Sequence, residues 1–243
     1  MGRTFNGTSD HLAFGSDAAC DQLAQWTAMA LIRPTATVSG EKQVLTKMNS
    51  SFAGKIFLGL EATDKIFSFM DRSSVNCITN TANGVLVTNS WNVIIATWPG
   101  SGSAITIEWC LLGGILADVS SGPTAGSGTF TDDSSATLRF ATRDPLDATF
   151  YGGGAADFGL WNRVLSAVEK GELGLGRAPE LIPSGLVAGS RITGSASPEI
   201  NTAGGTNGTV TGTSLLTHPA TIYSVASSVQ LQRTARGMMR GVR

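Results

Sequence analysis

The side chains able to do chemistry in this chain are few and scattered. The histidines are His11 and His218, the cysteines are Cys20, Cys77 and Cys110, and carboxylates come close together at Glu61 with Asp64, Asp132 with Asp133, and Asp144 with Asp147. Glycoside hydrolysis needs two carboxylates flanking the scissile bond, commonly supplied by alternating positions on one strand face. Glu61 and Asp64 have the wrong parity for one face, and the other pairs sit in stretches rich in Ser, Thr or Pro. Two distant histidines make neither a Ser-His-Asp site nor a three-histidine zinc site easy to build. Three widely spaced cysteines suggest neither a disulfide framework nor a zinc site and read as buried thiols. The expectation is a protein without enzymatic activity.

Binding chemistry has more to work with. Sugar recognition combines aromatic rings with amide and carboxylate side chains in a shallow groove. Most tryptophans fall on proposed strands, where they pack into a core. Trp98, beside Pro99-Gly100, and Tyr151, beside Gly152-Gly153-Gly154, fall at turns and are the candidate glycan-binding residues. Near the end of the chain stand Arg233, Arg236, Arg240 and Arg243. They read either as a solvated tail or as an arm that docks onto an acidic protein surface. The tail lacks aromatic residues for base stacking, which argues against nucleic acid. A net charge of -1 supplies no global field toward nucleic acid or acidic membranes.

The elements that must hold these residues are short strands separated by turns, at the spacing of a β-sandwich. Arg3 to Phe5 and His11 to Phe14 flank Asn6-Gly7, a hairpin signal. Trp26 to Arg33 ends at Pro34, and Gln43 to Lys47, Lys55 to Leu60 and Lys65 to Met70 follow as a meander. Val85 to Val87, Trp91 to Trp98 and Ala104 to Leu111 come next, then a polar loop from Gly122 to Asp133 and a strand from Thr137 to Ala141. In Gly152 to Lys170 a glycine-rich bend feeds a strand whose Phe158 and Leu160 oppose Asp157, Gly159 and Trp161. Ser166 with Glu169 forms a capping box, so one short helix starts there, and Gly171, Gly174, Gly176 and Pro179 end it.

Composition agrees with this pattern. Thirty glycines and 14% charged residues, against roughly 25% charged in an average globular protein, suit a turn-rich all-β chain. At 243 residues it can bury a sizeable core as one principal domain with a tail. The N-terminal stretch has no apolar signal region, and runs such as Trp91 to Trp98 are too short to span a bilayer. The expectation is a chain kept in the cytoplasm until assembly or lysis, with no membrane partner.

The order of these pieces resembles the concanavalin A-like, laminin G-like family across residues 3–170. FNGTSDHLAF resembles the family's opening strand, WTAMALIRP the inner strand ending in Pro, and VLTKMNSSFAGKIFLGL the next hairpin. VTNSWNVIIATW resembles the strand that carries a Trp after a turn, and LRFATRDPLDATFYGGGAADFGLWNRVLSAVE the final strands and helix. GLVAGSRITGSASPEINTAGGTNGTVTGTSLLTHP resembles the segment that opens such domains, yet here it follows the closing helix. The resemblance therefore implies an all-β jelly-roll β-sandwich with one short helix, circularly permuted. Residues 1–180 would form the sandwich, 181–219 a permuted segment completing or flanking it, and 220–243 a basic docking arm. Gly185 to Val187 and Gly208 to Gly212 are expected to add strands to the same sandwich, the alternative being a separate flap.

Laminin G-like domains often hold one calcium ion at a rim. The resemblance puts Asp10 and Asp157 at positions that would meet across the sandwich edge to bind Ca2+; the alternative is a turn hydrogen bond for Asp10 and a strand-end contact for Asp157. No other cofactor is implied. Segments in this arrangement resemble virion proteins of tailed bacteriophages. That implies a structural capsid decoration or head-associated protein, assembled in the host cytoplasm, oligomeric, and attached through its arm to the major capsid protein or other virion proteins. The alternative is a carbohydrate-binding adhesin of a fibre or tail that recognises a host-surface glycan.

Overall fold

A computed structural model describes residues 2–49, 54–143, 149–193 and 197–222. In chain order the strands are β1 (Gly2–Asn6), β2 (His11–Ala13), β3 (Trp26–Pro34), β4 (Lys42–Met48), β5 (Gly54–Glu61), β6 (Lys65–Met70), β7 (Cys77–Thr81) and β8 (Asn92–Trp98). They continue as β9 (Thr106–Leu111), β10 (Ala117–Asp118), β11 (Ser120–Thr124), β12 (Leu138–Phe140) and β13 (Gly152–Trp161). Helix α1 (Ala167–Gly174) follows, then β14 (Leu186–Ser190), β15 (Thr209–Thr211) and β16 (Ser214–Leu216).

Two antiparallel sheets pack face to face. The first runs β10-β9-β8-β3-β13-β1-β16, with β14 also paired to β13; the second runs β11-β7-β6-β5-β4-β12-β2-β15. Alternation along each strand sends one set of side chains into the shared interior. There Phe5, Phe14, Phe140, Tyr151 and Phe158 pack ring against ring, with centroids 4.9 to 6.3 Å apart. Each fully buried ring of this size contributes roughly 2–3 kcal/mol of transfer free energy.

The outer face of the first sheet is covered as well. Met29, Leu31, Val93 and Ile95 form a second apolar cluster with Trp161, Leu165, Leu173 and Ile182, under α1 and the segment after it. The helix begins where the capping box lies: Ser166 accepts the Glu169 amide and the Glu169 carboxylate accepts the Ser166 amide. Both faces of β13 are therefore buried, Phe158 and Leu160 on the inside and Trp161 beneath the helix.

Several local expectations need correction. Asn6-Gly7 does not close a hairpin, because β1 lies in the first sheet and β2 in the second. The Asn6 side-chain oxygen accepts the amides of Thr8, Ser9 and Asp10, and this capped loop carries the chain between sheets. Val85 to Val87 form an ordered loop rather than a strand, the Leu86 amide donating to Asp64 and the Val87 amide to the Asn92 side chain. The stretch read as polar loop from Gly122 begins inside β11, an edge strand of the second sheet. Strand β7 escapes periodicity because its inward positions include threonines; the Thr79 hydroxyl donates to Ile105 O at 2.7 Å. The late segment joins the sandwich: β14 pairs with β13, β15 with β2 and β16 with β1.

Candidate functional site

The outer face of the second sheet has no helix over it among the described residues, and its side chains differ from those of the first. Cross-strand register places Gln43, Gly59, Phe67 and Asn80 directly opposite one another on β4, β5, β6 and β7. Directly paired residues share a face, and four strands at roughly 4.8 Å spacing make this row about 14 Å long. Phe67 is half-exposed at its centre. The Phe57 ring lies 5.3 Å from it edge to face, and Phe69 lies 6.3 Å from both. Ile78, beside Phe69 on the next strand, extends the apolar surface.

Gly59 is what allows the ring to lie there. A Cβ at this position would sit 2.5 Å from Phe57 Cε1 and 2.8 Å from Lys42 O. Amides flank the rings at both ends of the row. Gln43 is fully buried and its Nε2 donates to Glu41 at 3.2 Å, while Gln43 Oε1 and Asn80 Oδ1, both covered, have no hydrogen-bond partner among the described residues. Covered acceptors without donors are uncommon in folded proteins and each carries a cost. An apolar aromatic surface bordered by the half-buried Asn80 amide suits a ligand with flat C–H faces and peripheral hydroxyls.

Trp98 and Tyr151 take other roles. Both are 1% exposed. The Trp98 indole packs edge-on against Phe130 at 5.0 Å and donates to Ser103 O. The Tyr151 hydroxyl donates to Gly154 O, and burial pushes its pKa well above the usual phenol value. A residue beside a turn can still point inward, and here both do, so neither presents a ring face to a sugar.

Asp10 and Asp157 do not meet. Asp10 accepts the Asn6 amide at 3.0 Å, next to the Asn6–Gly152 pair, whereas Asp157 lies five residues further along β13, about 16 Å at strand rise. Asp157 instead faces His218, which approaches to 3.6 Å. No group of three or more His, Cys, Asp or Glu side chains able to hold a metal occurs among the described residues. The other carboxylates hold loops: Asp64 accepts the Val38 amide, and Asp132 and Asp133 both accept from Gln22. Cys20, Cys77 and Cys110 are buried free thiols, each with its pKa raised by burial. Asp144, Asp147 and the arm residues Arg233, Arg236, Arg240 and Arg243 lie outside the described residues.

Sequence reasoning missed Phe67, Asn80 and Gln43. The alternation of Phe67 and Phe69 against Ile66, Ser68 and Met70 was the available signal, but two half-buried phenylalanines on one strand read as core until the topology shows that their face is partly open at β6 and β7.

The architecture agrees with a solved structure. A candidate carbohydrate-binding protein from Bacteroides ovatus superposes with a TM-score of 0.61 at 14% identity, over 91% of this chain and 60% of that one. The fold is an all-β sandwich of two sheets with one short helix. This chain thus spans 60% of the length of the Bacteroides protein. Looser similarity extends to the CBM40 of the Ruminococcus gnavus IT-sialidase bound to α2,3 sialyllactose (TM-score 0.46, 11% identity, 69% of this chain and 93% of that one). It also extends to domains LG4-5 of the mouse laminin α1 chain (TM-score 0.46, 12% identity, 65% and 40%). No family model matches the sequence, and no curated protein matches it.

Proposed function

We propose that this chain is a carbohydrate-binding module whose ligand lies across the outer face of the second sheet. The observation that carries this reading is the row Gln43–Gly59–Phe67–Asn80, in which the half-buried Phe67 ring and Asn80 amide stand at the open end, beside Phe69 and Ile78, while Gln43 is buried at the other. Phe67 stacks against one face of a pyranose, Phe69 and Ile78 extend the contact along the sheet, and the half-buried Asn80 amide meets its hydroxyls at the open end of the row. The sandwich fold is compatible with this and by itself says nothing of the ligand. The test is a glycan array probed with the full chain and with Phe67→Ala and Asn80→Ala. Binding to a defined set of glycans, lost in both variants while circular dichroism and thermal unfolding stay close to the parent, supports the reading. Unchanged array binding in Phe67→Ala overturns it.

A second reading, a structural subunit of a larger particle such as a phage virion, draws on a different surface. Around α1, Ile115, Val168 and Leu175 are 92%, 72% and 59% exposed, a grouping of large apolar side chains of the kind that assemblies cover. Immunogold labelling of intact particles from the source lysate tests it. Label over the particles supports this reading, and its absence removes it.

A further inference from the structure

We infer that the rim of the sandwich holds a separate subsite for the carboxylate of an acidic sugar. The inference rests on the carbohydrate-binding reading and extends it to ligand class. A cleft of about 210 Å3 opens between the ends of the two sheets, where β1 leaves, β3 passes into β4 and β13 begins. This is below the roughly 300 Å3 at which drug-sized sites start, so the cleft takes one sugar residue rather than a chain.

The floor of the cleft is apolar. Phe5, Val38 and Tyr151 are all buried, and the Phe5 and Tyr151 rings lie 6.3 Å apart. The wall is polar, with Thr35, Thr37 and Ser39 exposed and Lys42 half-buried beside them. The remaining polar groups are already committed. The Tyr151 hydroxyl donates to Gly154 O, and the Asn6 side chain binds Thr8, Ser9 and Asp10 within its own loop.

Lys42 has no carboxylate partner among the described residues. The nearest carboxylates are engaged: Glu41 accepts from Gln43, and Asp64 accepts the Val38 amide. Among the described residues, no acidic side chain lines the cleft. Three exposed hydroxyls and one ammonium with no carboxylate partner among the described residues, at the mouth of a cleft closed below by buried apolar side chains, suit a pyranose carrying a carboxylate, with its hydroxyls on Thr35, Thr37 and Ser39 and its acid group on Lys42. Lys42 precedes Gln43 on β4 and pairs with the core residue Leu60, so it stands at the sheet end on the side opposite the phenylalanine row and the cleft is a separate site.

The test uses the 15N-labelled full chain titrated with sodium D-glucuronate, D-glucose and sodium acetate. Glucuronate is expected to shift the amides of Gly7, Thr37 and Ser39 with millimolar saturation, and glucose and acetate to leave them at least about fivefold weaker, the scale of one exposed ion pair. Lys42→Gln and, independently, Thr37→Val should each weaken glucuronate, and Phe67→Ala should leave it unchanged. Absence of shifts at these amides, equal response to acetate, or parental affinity in Lys42→Gln overturns the subsite. An equal loss in Phe67→Ala moves glucuronate to the sheet face and overturns it too. If the cleft fails while Phe67→Ala still abolishes array binding, only the subsite falls.

Discussion

His218 Nε2 stands 3.6 Å from Asp157 Oδ2 and 3.3 Å from Ala156 O, while its Nδ1 lies 2.7 Å from Pro219 O. With oxygen acceptors on both sides, the imidazolium is the form that donates from both nitrogens. Burial works against that charge, but the Asp157 hydrogen bond and the two carbonyls outweigh it, and the pKa of His218 rises above its ordinary value. The pair fastens the segment after β16 to β13.

A raised histidine pKa contributes stability that is fully present below the unfolded value, about 6.5, and is lost as pH rises through the folded value. Denaturant midpoints should therefore fall as the pH climbs from about 6.5 into the alkaline range, and His218→Gln should flatten that slope. An unchanged slope in the variant would show that the His218–Asp157 contact contributes nothing.

Lys47 is fully buried at one end of the interior, with Nζ 2.7 Å from Asp21 Oδ1 and 2.5 Å from Asp133 O. Removing one member of a buried pair strands the other. Lys47→Met should cost about 3 kcal/mol in chemical denaturation, and adding Asp21→Asn should recover part of it.

Ser166 and Glu169 set the start of α1, and Arg163 binds the same carboxylate. Ser166→Ala should cost about 1 kcal/mol. The hydrogen bond from Arg163, helped by the Ser166 amide and hydroxyl, holds the Glu169 carboxyl down to about 2. Its contribution is complete above the unfolded value, about 4.5, and is lost as pH falls toward 2. Glu169→Gln should remove that part of the acid sensitivity in a pH-dependent melt.

Asp10 packs against the turn between β15 and β16. Gly212 there has φ +66°, and a Cβ on it would fall 1.9 Å from Asp10 Oδ1. Gly212→Ala should cost about 1–2 kcal/mol from the left-handed backbone, with the clash adding to it. Because Asp10 and Asp157 serve separate contacts, calcium and EDTA should leave the melting temperature of the parent unchanged. A calcium-dependent rise lost in Asp10→Asn would contradict this assignment.

The features legible in the sequence are those built by neighbours along the chain. The Ser166–Glu169 capping box, the short helix, the alternation of Phe158 and Leu160 against Trp161, and the long strand ending at Pro34 all rest on contacts within a few residues. The late strands after the helix were legible through the resemblance of the segment from Gly185 to Pro219 to the opening of laminin G-like domains. What the tertiary structure alone decided is which faces are covered. The phenylalanine row comes from four strands brought into register, so no local window contains it, and its exposure depends on α1 lying over the first sheet rather than the second. The same cause turned Trp98 and Tyr151 inward and separated Asp10 from Asp157: a turn marks where the chain reverses, but only the packed sheets determine which side of the turn meets solvent.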